Sequence, residues 1–203
     1  MPEDHMPQRL DFSALIGSRI CHDLINPIGA IGNGVELLQM DGGLRGPELA
    51  LISESVANAS ARIRFFRIAF GAAGSDARIG RPEVQGILAE LTKGGRLKID
   101  WSSPSDLSRR EVKIAFLLIQ CLETAMPWGG QIAVALEDGR WLVTGRASRL
   151  KVDPDIWEVL SNPAAPAEIT PALVHFALVP DEINRQHRRL TTEGREADIR
   201  FSF

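Results

Sequence analysis

Near the start of the chain, residues 20–34 read ICHDLINPIGAIGNG. His22 is followed at once by Asp23, and Pro27 comes five positions after the histidine. Gly29, Gly32 and Gly34 then crowd the end of the stretch. An exposed neutral imidazole nitrogen is a good nucleophile near neutral pH. Phosphoryl transfer asks little of an acceptor beyond position and open in-line access. Asp23 could hydrogen-bond the other ring nitrogen and fix the tautomer. Adjacent helix positions do not face each other well, so a solvated acid is the plain alternative. For His22 itself the plain alternative is an ordinary surface histidine.

A helix must carry these residues. At about 100° per residue, Phe12, Ile16, Ile20, Leu24, Pro27, Ile28, Ile31, Val35 and Leu38 fall on one stripe. With Ile20 at 0°, the stripe centres near 10° and His22 falls at about 200°, pointing away from it. Gly29, Asn26 and Asn33 share the histidine's face, at about 180°, 240° and 220°. An interior helix glycine costs about 1 kcal/mol against alanine, and proline about 3 kcal/mol. A helix under no functional demand would rarely keep Pro27, Gly29, Gly32 and Gly34 so close together. Small residues leave a shallow surface on which another protein can approach the backbone. The proline frees one carbonyl and can bend the helix. Arg19, Ile25, Gly29 and Asn33 are the expected centre of this docking surface.

The next stretch, MDGGLRG, reads as a turn, and Pro47 and Glu48 suit the first turn of a second helix. Leu49, Ile52, Val56, Ala59, Ile63, Phe66 and Phe70 alternate steps of three and four, the spacing of a packed seam. GAAG at 71–74 ends it. Residues 11–75 are therefore expected to form an antiparallel helical hairpin domain. Two helices have a narrow core, and a second copy would complete a four-helix bundle. Ile25, Leu37, Leu51 and Phe65 lie off the main stripes and support a homodimer. The alternative is that the second half of the same chain covers this face. Folding the hairpin back brings RIRFFR, residues 62–67, level with His22. Arg62, Arg64 or Arg67 could there offset phosphate charge, the alternative being a solvated basic face.

The second half, residues 80–203, alternates helix and hairpin patterns, as in an α+β layer of helices over a mixed sheet. RPEVQGILAELTKGG reads as a short helix and RLKIDWSS as a strand. Residues 108–126 read as a helix with Ser108 and Glu111 as its capping box. QIAVALEDGRWLVTGRAS reads as a hairpin turning at Asp138-Gly139. LKVDPDIWEVLSN holds a short helix, TPALVHFALVPDEINRQ another that Pro180 is expected to limit, and RRLTTEGREADIRFSF a closing hairpin. Trp101, Trp128, Trp141 and Trp157 are expected in or near the core.

Composition narrows the function classes. The 203 residues carry a net charge of −3, with no basic surplus for bulk nucleic-acid binding. No apolar run approaches the roughly 20 residues that span a bilayer, and MPEDHMPQRLDF lacks the apolar core of a signal peptide. Cys21 and Cys121 form no C-x-x-C pair. With His5, His22, His175 and His187 they are too scattered for structural zinc, which needs about four ligands. A cytoplasmic, reduced protein is expected. GAIGNG has the wrong glycine order and a helical context for a dinucleotide loop.

HDLINP resembles the H-box of histidine-kinase dimerisation domains: histidine, acid, and a proline five residues after the histidine. The longer run CHDLINPIGAIGNGVELL, with RIRFFRIAFG, is similar to the ChpT-type histidine phosphotransferases of alphaproteobacteria. The resemblance extends over essentially the whole chain, strongly in the first half and weakly in the second. It implies a dimeric four-helix bundle followed by a domain resembling the ATP-binding domain of histidine kinases. It makes His22 the phosphorylated residue and places Asp23, Asn26 and Pro27 at the other H-box positions. The partners it implies are receiver domains, of a CckA-like hybrid kinase and of CtrA-like and CpdR-like response regulators.

Active kinases carry two asparagines four apart before a P-x-G-G turn. Matching that turn to PWGG puts Leu117 and Cys121 at those positions, and neither is a hard oxygen ligand for magnesium. WLVTGRASRL lacks the acid and second glycine of the kinases' D-x-G-x-G loop, and NPAAPAEITPAL stands in place of a glycine-rich lid. A kinase-like fold without nucleotide binding, and with no cofactor of its own, is expected; magnesium would come from the partner receiver. The expected function is a phosphorelay carrier. The alternatives are an autophosphorylating kinase with divergent nucleotide motifs and a non-catalytic scaffold that docks on a kinase or receiver.

Overall fold

The computed structural model describes residues 10–41 and 47–203. Most of the expected turn, residues 42–46, and the N-terminal stretch with His5 lie outside the described residues. Two long helices come first, α1 over Phe12–Asp41 and α2 over Pro47–Ala69, and they pack against each other. Asp11 begins α1 properly: its Oδ1 accepts from the backbone N–H groups of Ser13 and Ala14 at 3.0 and 3.1 Å, an N-cap.

The second unit begins with a short strand, β1 (Arg78–Gly80), ahead of the expected boundary at residue 80. It continues with α3 (Arg81–Leu91), β2 (Leu97–Ser102), β3 (Asp106–Ser108), α4 (Arg109–Ala125), β4 (Gly130–Glu137) and β5 (Arg140–Arg146). Then come α5 (Pro154–Glu158), a 3-10 turn at Pro171–Leu173, α6 (Val174–Arg185), β6 (Thr191–Gly194) and β7 (Asp198–Ser202). The main sheet has the order β2-β4-β5-β7-β6, with β2 parallel to β4 and the other pairs antiparallel. β1 and β3 form a separate antiparallel ribbon. The fold is α+β, as the sequence pattern predicts.

Alternation makes the sheet one-sided. Ile132 and Val134, Trp141 and Val143, and Ile199 and Phe201 point inward while their neighbours along each strand are more exposed. α4 lies across that inner face with Val112, Ile114, Phe116, Leu117 and Leu118 completely buried. The expected hairpin turn forms at Asp138 and Gly139, both with positive φ, 49° and 75°, the twist that matches flanking strands.

Several expectations are corrected. The capping box at Ser108 and Glu111 does not form: Ser108 ends β3, paired to Arg78, and its side chain makes no cap bond. Glu111 instead accepts from the indole N–H of Trp141 at 3.0 Å and pairs with Arg188. The Trp141 side chain is completely buried, and a buried N–H left without an acceptor costs about 1–3 kcal/mol. Pro180 does not limit α6, which runs on to Arg185. Val174, Phe176 and Val179 of that helix are completely buried, and this packing outweighs the one backbone bond the proline removes. Trp101 and Trp141 are core residues and Trp157 stacks on Phe201, but Trp128 is exposed with Arg149 over its ring at 4.3 Å.

The end of the hairpin packs on the second unit, α2 against α3 and α4, and α1 against α6 and the 3-10 turn. Phe65, expected to face a second copy, is buried here and stacks on Phe116 of α4 at 4.6 Å between ring centroids. Farther along, one flank of the apolar stripe remains open: Ile28 is 58% and Ile63 52% exposed, with Val35, Leu49 and Val56 beside them. Leu37 and Leu51, off the stripe, are also exposed. The stripe read from the sequence is thus wider than the contact one hairpin makes within itself.

Candidate functional site

The α1 helix is unbroken through Pro27. Proline has no N–H, so the Asp23 carbonyl one turn earlier loses its helical donor. His22 projects from this helix with its side chain 77% exposed. Its Nδ1 lies 3.2 Å from Asp23 Oδ1. An ionised carboxylate only accepts, so in the neutral ring this contact places the proton on Nδ1. The Nε2 lone pair is then the free one, turned toward solvent.

Asp23 itself is held from three sides, and its side chain is only 10% exposed. Arg19 Nε donates to Oδ2 at 3.0 Å, Arg62 Nη1 lies 3.5 Å from the same oxygen, and Oδ1 faces the histidine. Arg62 in turn donates from Nε to Asn58 Oδ1 at 3.1 Å. The plain alternative of a solvated acid is thereby excluded. A groove of about 370 Å³ opens here between α1 and α2, lined by His22, Asp23, Asn26, Pro27, Asn58 and Arg62 among others.

The remaining expected positions divide. Ile25, Gly29 and Asn33 are exposed along the same helix, available to a partner. Arg19 is not: its side chain is 18% exposed and is committed to Asp23 and to the Ala172 carbonyl, at 2.6 Å. Of the three arginines expected near the phosphate, Arg62 alone is brought to the site. Arg64 pairs with Glu90 and Arg67 lies 3.5 Å from Glu83, both on α3. The reason is helical phase: Arg64 and Arg67 sit about 200° and 140° round α2 from Arg62. Asn58 was not singled out from the sequence, although its position one turn before Arg62 is the i, i+4 spacing that joins side chains.

Gly29 has a feature that propensity alone does not explain. A Cβ built on it, or on Gly32, meets nothing within 4 Å, so the chain's own packing demands no glycine at either position. Gly29→Ala is therefore expected to raise stability, by up to about 1 kcal/mol, read as a higher midpoint in thermal or urea unfolding. A lower midpoint would show that the fold itself requires the glycine.

His175 is no rival acceptor. It is completely buried, its Nε2 lies 3.2 Å from Thr124 Oγ1, and burial, with the nearby Arg19 charge, lowers its pKa to about 3. His187 is exposed, with φ of 52° just past the end of α6, and makes no ion pair among the described residues. Leu117 and Cys121, which the sequence match on PWGG sets against the kinases' two asparagines, are wholly buried in the core. Burial pushes the Cys121 thiol well up, so it stays uncharged. These side chains do not fit a magnesium nucleotide. Among the described residues no helix is long and apolar enough to cross a membrane.

Residues 81–198 match the family described as the histidine phosphotransferase C-terminal domain. The chain is 41% identical over 165 residues to protein phosphotransferase ChpT of Brucella abortus (strain 2308), covering 78% of each. It also superimposes on the solved 1.7 Å structure of a bacterial phosphotransferase with a TM-score of 0.80, at 35% identity and 97% coverage of both chains. A family model over more than half of the chain, with 41% identity across most of a relative, makes the assignment: the chain belongs to the ChpT-type histidine phosphotransferases, proteins of phosphorelay and two-component signalling.

Proposed function

We propose that this chain carries phosphoryl groups between the aspartates of receiver domains through His22 Nε2. The observation that supports this best is the contact of His22 Nδ1 with Asp23, 3.2 Å, on an otherwise open histidine. In the first step the Nε2 lone pair attacks the phosphorus of an aspartyl phosphate on one receiver. The P–N bond forms, the P–O bond of the acyl phosphate breaks, and its electron pair leaves on the carboxylate. The ring becomes cationic with its proton still on Nδ1, where Asp23 balances the charge. In the second step an aspartate oxygen of another receiver attacks the same phosphorus, the P–N bond breaks and the ring returns to neutral. No proton is lost or gained, and the hairpin serves by position and open access. Magnesium and the acidic pocket around the phosphorylated aspartate belong to the receiver.

The working assembly in this reading is a homodimer. The open flank of Ile28, Val35, Leu49, Val56 and Ile63 closes against its copy as a four-helix bundle, leaving the His22 face free. The proposed partners are a CckA-like hybrid kinase upstream and CtrA-like and CpdR-like response regulators downstream, met in the cytoplasm.

The test separates the carrier from its alternatives. Purified protein is incubated with labelled ATP and, separately, with a phosphorylated receiver. The carrier takes label from the receiver and none from ATP. Label from ATP alone would make the protein a kinase; tight receiver binding with no label from any receiver would make it a scaffold.

A further inference from the structure

The second unit holds no residue of the His22 groove in direct contact with the histidine, yet it reaches the site through Arg19. This guanidinium is shared between two acceptors, Asp23 Oδ2 at 3.0 Å from Nε and the Ala172 carbonyl at 2.6 Å from Nη1. The two acceptors lie on different units, and the second is 153 residues away in sequence. Ala172 sits in the 3-10 turn at the end of NPAAPAEITPAL, the segment that stands where the resemblance to kinases puts a nucleotide lid. The position of its carbonyl is fixed from both ends: Ile169 and Val174 are buried, and the Leu173 N–H donates to the Thr170 carbonyl at 2.9 Å.

We propose that Arg19 is a positioning residue for phosphoryl transfer. Anchored by the lid-like segment, it holds Asp23 in the orientation that keeps the His22 proton on Nδ1 and the Nε2 lone pair free. The proposal rests on His22 being the acceptor. It gives the second unit a task that needs no nucleotide: a brace for the acceptor histidine.

A simple i, i+4 ion pair on an exposed helix contributes little, but neither partner here is exposed and the arginine has a second anchor. Arginine suits the task because its rigid fork can meet a carboxylate and a carbonyl at once, whereas lysine offers one mobile point charge. Arg62 does not replace it, since its contact with Asp23 Oδ2 is longer, 3.5 Å, and its Nε is engaged by Asn58.

The direct readout is the His22 tautomer, followed by nitrogen NMR on the full-length protein with labelled histidine. In the unsubstituted protein the Nδ1–H form is expected to dominate. Arg19→Met should shift the ring toward the Nε2–H form that free imidazole side chains prefer, and slow transfer from a phosphorylated receiver about tenfold. Arg19→Lys should recover part of both effects, and Arg62→Met should change the tautomer less than Arg19→Met does. A tautomer ratio unchanged in Arg19→Met, with transfer within about twofold of the parent, would overturn the proposal. Unfolding midpoints of both Arg19 variants detect loss of fold; if Arg19→Met fails to fold, Arg19→Lys alone decides by the same readouts. If the parent accepts no phosphoryl group from any receiver, the function above fails, while the tautomer measurement still decides what Arg19 does.

Discussion

His22→Ala should reduce phosphoryl transfer to background while leaving the fold intact. The two halves of this expectation have separate physical grounds. His22 is largely solvent-exposed and its side chain makes one polar contact, to Asp23. Removing it opens no cavity and strands no buried group, because Asp23 keeps Arg19 and Arg62. A surface change of this kind alters stability by no more than about 0.5 kcal/mol. Transfer, in contrast, has no substitute nucleophile at the site. His175 is sealed in the core, and the exposed neighbour Cys21 lies about 100° away around the helix. The measurement is the rate at which a phosphorylated receiver loses its label to the variant, alongside a urea unfolding curve. Transfer at the parent rate would remove His22 from its role and with it the mechanism. Lost transfer together with a much lower unfolding midpoint would instead show that the histidine serves the fold.

The site was legible where local spacing determines geometry, and illegible where a distant contact decides. His22 and Asp23 are adjacent in sequence, and helical phase alone turned the histidine away from the apolar stripe. Arg62 was one of three arginines that hairpin geometry brought level with His22. Choosing among them required the rotation of α2 about its own axis, which is set by the burial of Ala61, Phe65, Ile68 and Ala69 and leaves Arg64 and Arg67 facing Glu90 and Glu83 of α3. Arg19 was read as a docking residue because nothing in the sequence links position 19 to the carbonyl of residue 172. The fold behaved in the same way. The long periodic helices and the Asp138-Gly139 hairpin were visible. β1 and β3 have three residues each, too few for an alternation to show. The Glu111 capping box failed because a buried indole on β5 claimed the same carboxylate, and local pattern cannot weigh such a competitor.

If the site depends on the second unit, a cavity at the junction between them should cost both stability and transfer, and Phe116→Ala should show this. Phe116 is completely buried in α4. It stacks on Phe65 of α2 at 4.6 Å, with rings 17° from parallel, and meets Trp101 of β2 edge-on at 6.0 Å. Truncating a buried phenylalanine to alanine costs about 3–5 kcal/mol, through lost transfer energy and the cavity left behind. That is a large share of the roughly 5–15 kcal/mol that holds a domain together. The aromatic pair adds about 0.5–1.5 kcal/mol beyond area burial, so a double-mutant cycle with Phe65→Ala should give a coupling of that order. Additive losses would mean that the two rings do not support each other across the junction. Phe116→Leu, which refills most of the volume, should cost less and leave enough folded protein to assay. The α2–α4 contact and the contact of the lid-like segment with α1 both join the hairpin to the second unit, so the transfer rate of Phe116→Leu is expected to fall even where the protein is fully folded. An unchanged rate in folded Phe116→Leu would mean that the position of His22 is set by the hairpin alone.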